Sequence, residues 1–217
     1  MVKPKVALAF ILKADKAEID QFENCIASIT GHVDGIFVNL NHKTKVPPKV
    51  LNRVNKLLPK NSQVYQTKWT GNFVEARNFI FSKIPEEYTH ILWLDADDTV
   101  ENPEKIREVC AIMPEDINGL YVKYDYDHDE YGNVTVTHWV ARIVRNNDSF
   151  VWKSSFADMD VTVHETLNPK VRSNSVANEE FWVVHTASPE RREDSLVRNI
   201  TLLEAMLKKY PKDVIPD

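Results

Sequence analysis

Two stretches of the chain are apolar without polar alternation: Val6-Ala7-Leu8-Ala9-Phe10-Ile11-Leu12 and Ile91-Leu92-Trp93-Leu94. Such runs predict strands buried on both faces, as in the interior of a parallel sheet. Between them, Ile36 to Leu40 predicts another strand and Gln63 to Gln66 a shorter one. Helical spacing separates these strands. Ile19, Phe22, Ile26 and Ile29 recur on one stripe before Gly31, and Val50, Leu51, Val54, Leu57 and Leu58 follow a Pro47-Pro48 start. Asn72 and Glu75 have the spacing of an N-cap and its partner for a helix running to about Ile84. Asn102-Pro103-Glu104 opens another helix, with Ile106, Val109, Cys110 and Met113 on its inner side. A β-α-β-α-β order predicts a parallel sheet with helices on its faces.

From Gly119 the texture changes to aromatic and β-branched residues. Leu120 to Tyr126 and Val134 to Val144 predict an antiparallel hairpin, with Asp125, Asp127, Asp129 and Glu130 as solvated charges of its loop. Phe150-Val151-Trp152 and Phe181 to His185 predict two more strands, and residues 154–163 have no period and read as a loop. Ser188-Pro189-Glu190 opens a last helix carrying Leu196, Ile200, Leu203 and Leu207. The expected fold is therefore α/β: a mainly parallel central sheet with flanking helices, a small antiparallel part in the second half, and a C-terminal helix.

Composition narrows the partners. The net charge of −5 leaves no footprint for general nucleic-acid or anionic-membrane binding. The early apolar run is too short to span a bilayer, and Lys13, Asp15 and Lys16 follow it at once, so the expectation is a cytoplasmic protein without a membrane span. Cys25 and Cys110 fall in helical patterns and read as buried thiols. With five glycines and no G-x-G-x-x-G after the first strand, a dinucleotide-binding oxidoreductase is disfavoured.

The chemistry concentrates where the central strand ends, at Asp95-Ala96-Asp97-Asp98. In an extended chain residues i and i+2 point the same way, so Asp95 and Asp97 converge. Two carboxylates about 4 Å apart repel by roughly 4 kcal/mol at an effective dielectric near 20 unless a cation lies between them. Mg²⁺ or Mn²⁺ suits such a site and retains positions for substrate phosphates.

Several segments together resemble the GT-A glycosyltransferases of family 2, within the subgroup whose catalytic domain precedes tetratricopeptide-type helical repeats. They are Trp69-Thr70-Gly71-Asn72-Phe73-Val74-Glu75-Ala76-Arg77-Asn78, Ile91 to Asp98, Arg142-Ile143-Val144-Arg145-Asn146, Val163-His164-Glu165, Val184-His185 and Arg198 to Glu204. The resemblance implies a catalytic domain over residues 1–188, with a nucleotide-sugar half (1–100) and an acceptor half (101–188), then a helix and tail over 189–217. It also implies a nucleotide-sugar donor, usually a uridine diphosphate sugar, a divalent cation, and inversion at the anomeric carbon. Asp97 would hold the cation, Asp95 the ribose or the cation's shell with Ala96 beside it, and His185 would complete the metal or diphosphate site. Arg77 would pair with diphosphate oxygens through its fork of donors. Lys13, Asp15, Asn39 and Asn41 stand at strand ends where the nucleotide base would bind, though the family often has an acid where these two amides are. Arg142 and Arg145 fit a wall of the site, the phosphates or a structural ion pair alike. The general base would be Glu165, with Asp158 and Asp160 as rivals. The acceptor is unspecified. A sugar-nucleotide-binding module without turnover and a nucleotidyltransferase are the competing readings; the latter lacks its usual glycine-rich first loop.

Overall fold

A computed structural model describes residues 3–154, 165–170, 174–186 and 189–209. The chain alternates β1 (Val6–Lys13), α1 (Lys16–Ile29), β2 (Gly35–His42), α2 (Pro48–Leu57), β3 (Gln63–Lys68), α3 (Phe73–Phe81) and β4 (His90–Trp93). It continues with β5 (Asp98–Glu101), α4 (Lys105–Ile112), β6 (Ile117–His128), β7 (Val134–Arg145), β8 (Phe150–Ser154), β9 (Glu165–Pro169), β10 (Asn174–His185) and α5 (Pro189–Lys209). One sheet runs β3-β2-β1-β4-β7-β6-β10-β5, and β8 pairs with β9 in a second.

Alternation on β1 explains why its sequence is apolar from Val6 to Leu12. Val6, Leu8, Phe10 and Leu12 join the core under α1, α2 and α4, while Ala7, Ala9 and Ile11 join a second core with Ala76 and Ile80 of α3 and Trp152 of β8. Gly31, at φ 91°, takes the left-handed conformation just past α1. β1 pairs in parallel with β2 on one side and β4 on the other. The strand order therefore reverses around β1, and the crevice between the ends of β1 and β4 is where open α/β sheets bind ligands.

Beyond β4 the sheet turns antiparallel through β7 and β6, returns to a parallel pairing between β6 and β10, and ends in the antiparallel edge strand β5. The expected architecture is the one observed. Glu165, given no element by the sequence reading, begins the strand β9. Two local readings change. The acidic stretch does not continue β4 but turns into β5. Asp125 is not a loop charge: it is 3% exposed within β6. Thr137, its partner in the β6–β7 register, donates its hydroxyl to it at 3.0 Å, and Lys123 Nζ lies 3.0 Å away. Among the described residues, no helix is long and apolar enough to cross a membrane.

Candidate functional site

The residues Asp95 to Asp98 form a closed turn at the C-terminal end of β4. The Asp98 amide donates to the Asp95 carbonyl at 3.1 Å, and Asp98 Oδ2 accepts from the Asp95 amide at 2.9 Å. This corrects the extended geometry anticipated for Asp95 and Asp97. A turn splays successive side chains, and the three carboxylates go three ways.

Asp98 points inward and is fully buried. Its Oδ1 accepts from the Tyr124 hydroxyl at 2.9 Å, and Arg142 NH1 lies 3.0 Å from Oδ2. The Arg142 guanidinium, itself 1% exposed, sits 4.0 Å from the Trp93 ring centre and 4.4 Å from that of Tyr124. Burying a charge is costly unless an opposite charge lies against it. Of the alternatives open for Arg142, the structural ion pair is the one formed. Burial, then the nearby Asp98 charge, pushes the Tyr124 phenol far above its ordinary value, so it remains a hydrogen-bond donor.

Asp97 faces His185, whose Nδ1 is 3.9 Å from the Asp97 carboxylate, 3.7 Å from that of Asp98 and 3.0 Å from the Tyr124 hydroxyl. The imidazole stacks on Tyr126 with centroids 5.0 Å apart and planes 8° apart. Thr186 fastens the end of β10 to the turn, donating its amide and hydroxyl to the Asp97 carbonyl at 2.7 and 2.8 Å. Burial opposes charge on His185, but Asp98, Asp97 and Asp95 outweigh it and raise the imidazole above its ordinary value. Ligand atoms of Asp97, Asp98 and His185 all lie within 4.8 Å of one another, a spacing that can hold a metal ion.

Asp95 turns outward to Arg77, whose NH2 lies 2.8 Å from Oδ1. Burial works against its charge, but Arg77 and then Arg142 hold the carboxyl below the usual range. Ala96 is buried in the turn. Arg77 lies on α3, the helix the sequence predicts, and is already paired there. Its Nε binds Glu165 at 2.6 Å, its side chain is 7% exposed, and Trp93 and Trp152 lie against it, so two carboxylates occupy donors expected to meet a diphosphate. Asp158 and Asp160 lie outside the described residues.

The remaining expected residues gather at the neighbouring strand ends. Lys13 is open to solvent and pairs with Asp15 at 2.6 Å, while Asp15 caps α1 by accepting from the Glu18 amide. Asn39 and Asn41 are buried, linked through Thr67: Asn41 donates to the Thr67 hydroxyl at 2.7 Å, which donates to Asn39 Oδ1 at 2.7 Å, and Asn39 donates to the Ala76 carbonyl. A cleft of about 90 Å³ opens beside them, lined also by Lys68, Trp69 and Glu75. The structure thus brings Asp95, Ala96, Asp97 and His185 together, sets Arg77 and Glu165 against them, and keeps Lys13, Asp15, Asn39 and Asn41 in an adjacent group. The sequence reading missed Tyr124 and the inward role of Asp98; the third acid of the turn was the available signal.

No known family model and no curated protein matches the sequence. Solved structures do match in fold. S. aureus TarS superposes with a TM-score of 0.54 at 14% identity, over 98% of this chain and 40% of TarS. TarS 1–349 in complex with UDP-GlcNAc superposes with a TM-score of 0.50 at 12% identity, over 98% of this chain and 68% of that one. The chain therefore spans well under half the length of TarS. The fold is glycosyltransferase-like, as the sequence reading expects.

Proposed function

We propose that the chain is a metal-dependent glycosyltransferase that moves a sugar from a nucleotide-sugar donor, a uridine diphosphate sugar first, to an acceptor hydroxyl with inversion. The observation that carries this reading is the acidic turn at the β1/β4 crevice, where Asp97, Asp98 and His185 come within 4.8 Å. The likeness in fold to TarS, whose 1–349 fragment is seen in complex with UDP-GlcNAc, supports the choice of donor.

The residues fit a divalent cation. Asp98 is buried and holds the turn, whereas the Asp97 side chain is 19% exposed, so Asp97 and His185 are the ligands proposed, with Tyr124 orienting the imidazole. A mixed oxygen and nitrogen set suits Mn²⁺ better than Mg²⁺. When bound, the cation would supply Lewis-acid stabilisation to the departing diphosphate. Asp95 would contact the donor beside it, and Lys13, Asp15, Asn39 and Asn41 would line the nucleotide's side.

Inversion follows from a single displacement. The acceptor oxygen forms a bond to the anomeric carbon as the bond from that carbon to the diphosphate oxygen breaks, its electron pair leaving with the diphosphate. The acceptor's proton goes to a carboxylate, assigned to Glu165, with Asp158 and Asp160 as the other candidates. The test is a panel of nucleotide sugars scored for diphosphate release with Mn²⁺, with Mg²⁺ and with chelator, water serving as a slow acceptor. Metal-dependent release with one donor, absent in Asp97→Ala, is expected. A wild type that binds but never turns over any donor indicates a binding module instead, and release of pyrophosphate from a nucleoside triphosphate with a sugar phosphate indicates a nucleotidyltransferase.

A further inference from the structure

Arg77 joins parts of the chain that sequence separates widely. It lies on α3, and its guanidinium carbon is 4.6 Å from the ring centres of both Trp93, at the end of β4, and Trp152, on β8. Those two rings meet edge to face at 4.7 Å. Within this aromatic corner the guanidinium donates in two directions: to Asp95 of the acidic turn and to Glu165 at the start of β9. The next residue completes the clamp. Asn78 donates to the Trp152 carbonyl at 2.9 Å and accepts from the Trp152 amide at 3.0 Å, so α3 grips β8, which carries β9 as its antiparallel partner. Both carboxylates raise the guanidinium above its ordinary value against the opposing effect of burial, so its charge is permanent.

The planar fork of arginine is what makes this possible. Its donors leave one rigid plane at fixed angles, and that plane also packs flat against rings. A lysine ammonium is a point charge on a flexible stem and cannot hold two carboxylates and two rings at set separations.

We infer that Arg77 is a positioning residue that fixes the separation between the donor-holding turn and the proton-accepting Glu165, and is not itself a ligand of the diphosphate. The inference rests on the proposed transferase reading and adds to it the part that sets the reaction distance. Displacing a reacting group by about 1 Å costs on the order of 100-fold in rate. Arg77→Lys is therefore expected to lower kcat roughly 100-fold while donor KM stays within about threefold. Because Arg77 acts through Glu165, adding Arg77→Lys to Glu165→Gln is expected to cost little more than Glu165→Gln alone.

The experiment is steady-state kinetics of wild type, Arg77→Lys, Arg77→Met, Glu165→Gln and the Arg77→Lys/Glu165→Gln double variant, using the donor found in the panel. Melting curves accompany each, and Arg77→Lys stands if Arg77→Met fails to fold. Restoration of kcat by lysine, or a large rise in donor KM with kcat kept, overturns the inference in favour of a phosphate contact. Additive losses in the double variant overturn it as well. These outcomes all require an active wild type; a wild type without turnover of any donor refutes the transferase reading, and the positioning role with it.

Discussion

The acidic turn holds two arginines in opposite ways. Arg142 is sealed: it is 1% exposed, its carboxylate Asp98 is 0% exposed, and Trp93 and Tyr124 lie against it. Arg77 rests on the same Trp93, but its carboxylate Asp95 has a side chain 36% exposed, and its second partner, Glu165, comes from a separate small sheet. A charge pair with no access to water holds structure, because losing either partner strands the other in a low-dielectric interior. A pair at the mouth of a crevice tolerates change and can be read by a ligand. The difference puts the structural ion pair on the Asp98 side of the turn; on the proposed reading, the chemistry belongs to the Asp95 and Asp97 side.

The sharpest way to break this contrast is Asp98→Asn. It keeps an acceptor for the Tyr124 hydroxyl but leaves Arg142 without its counter-charge, at an expected cost of about 3–5 kcal/mol in urea unfolding. Adding Arg142→Met should recover part of that loss, since no charge is then left buried alone. A cost below about 1 kcal/mol for Asp98→Asn would mean that the pair is hydrated and the two arginines are equivalent.

The opposite end of β4 supplies a reference in which a buried group is kept neutral instead of paired. His90 is 2% exposed, with Nδ1 2.8 Å from the Thr89 hydroxyl. Burial, then the Arg145 charge, lowers its pKa to about 4 from the ordinary 6.5. Here the unfolded chain binds the proton first, so stability is intact above about pH 6.5 and falls as the pH drops towards 4. The expected loss from about pH 7.5 to about pH 5 is roughly 2 kcal/mol, and His90→Gln should flatten that part of the urea-derived profile. An unchanged slope in the variant would place the acid sensitivity in the carboxylates of the turn.

Arg77→Met should cost less than the change at Asp98, about 2 kcal/mol: water can reach the released Asp95, although Glu165, with a side chain 11% exposed, loses its partner too. Equal costs at the two sites, measured in the same denaturant series, would erase the contrast between them.

How far the sequence carried the reading follows from the same geometry. β1 and β4 were legible because a strand buried on both faces is apolar along most of its length, as Val6 to Leu12 and Ile91 to Trp93 are, and α1 because its stripe repeats at helical spacing. The glycosyltransferase-like fold and the nearness of Asp97 to His185 followed from the family resemblance that the motifs carry. The turn was not legible, since whether three acids form a strand or a turn depends on the reciprocal Asp95–Asp98 bonds and on what each side chain meets. The ion pairs of Arg77 were not legible, because a sequence shows its charge but not the two carboxylates that hold it. Tyr124 read as one aromatic of a β-hairpin; its hydroxyl matters only because folding sets it between Asp98 and His185. Asp125 misled for the same reason, its partners Thr137 and Lys123 being visible only once β6 and β7 are in register.

The smallest expected stability change is at Asp97, and that smallness is the test. Asp97→Ala retains the backbone carbonyl that accepts both Thr186 bonds, and its side chain is 19% exposed near an imidazole rather than buried against an arginine. Its unfolding free energy without ligand should therefore lie within about 1 kcal/mol of wild type. Ligand linkage should separate the two proteins. A ligand at about 100 times its Kd stabilises the folded state by roughly 2.7 kcal/mol, so Mn²⁺ with uridine diphosphate should raise the wild-type melting temperature by several degrees. The same mixture should barely move Asp97→Ala. Equal shifts in both proteins would remove Asp97 from the metal site, and a large loss of stability in the unliganded variant would put it on the structural side of the turn with Asp98.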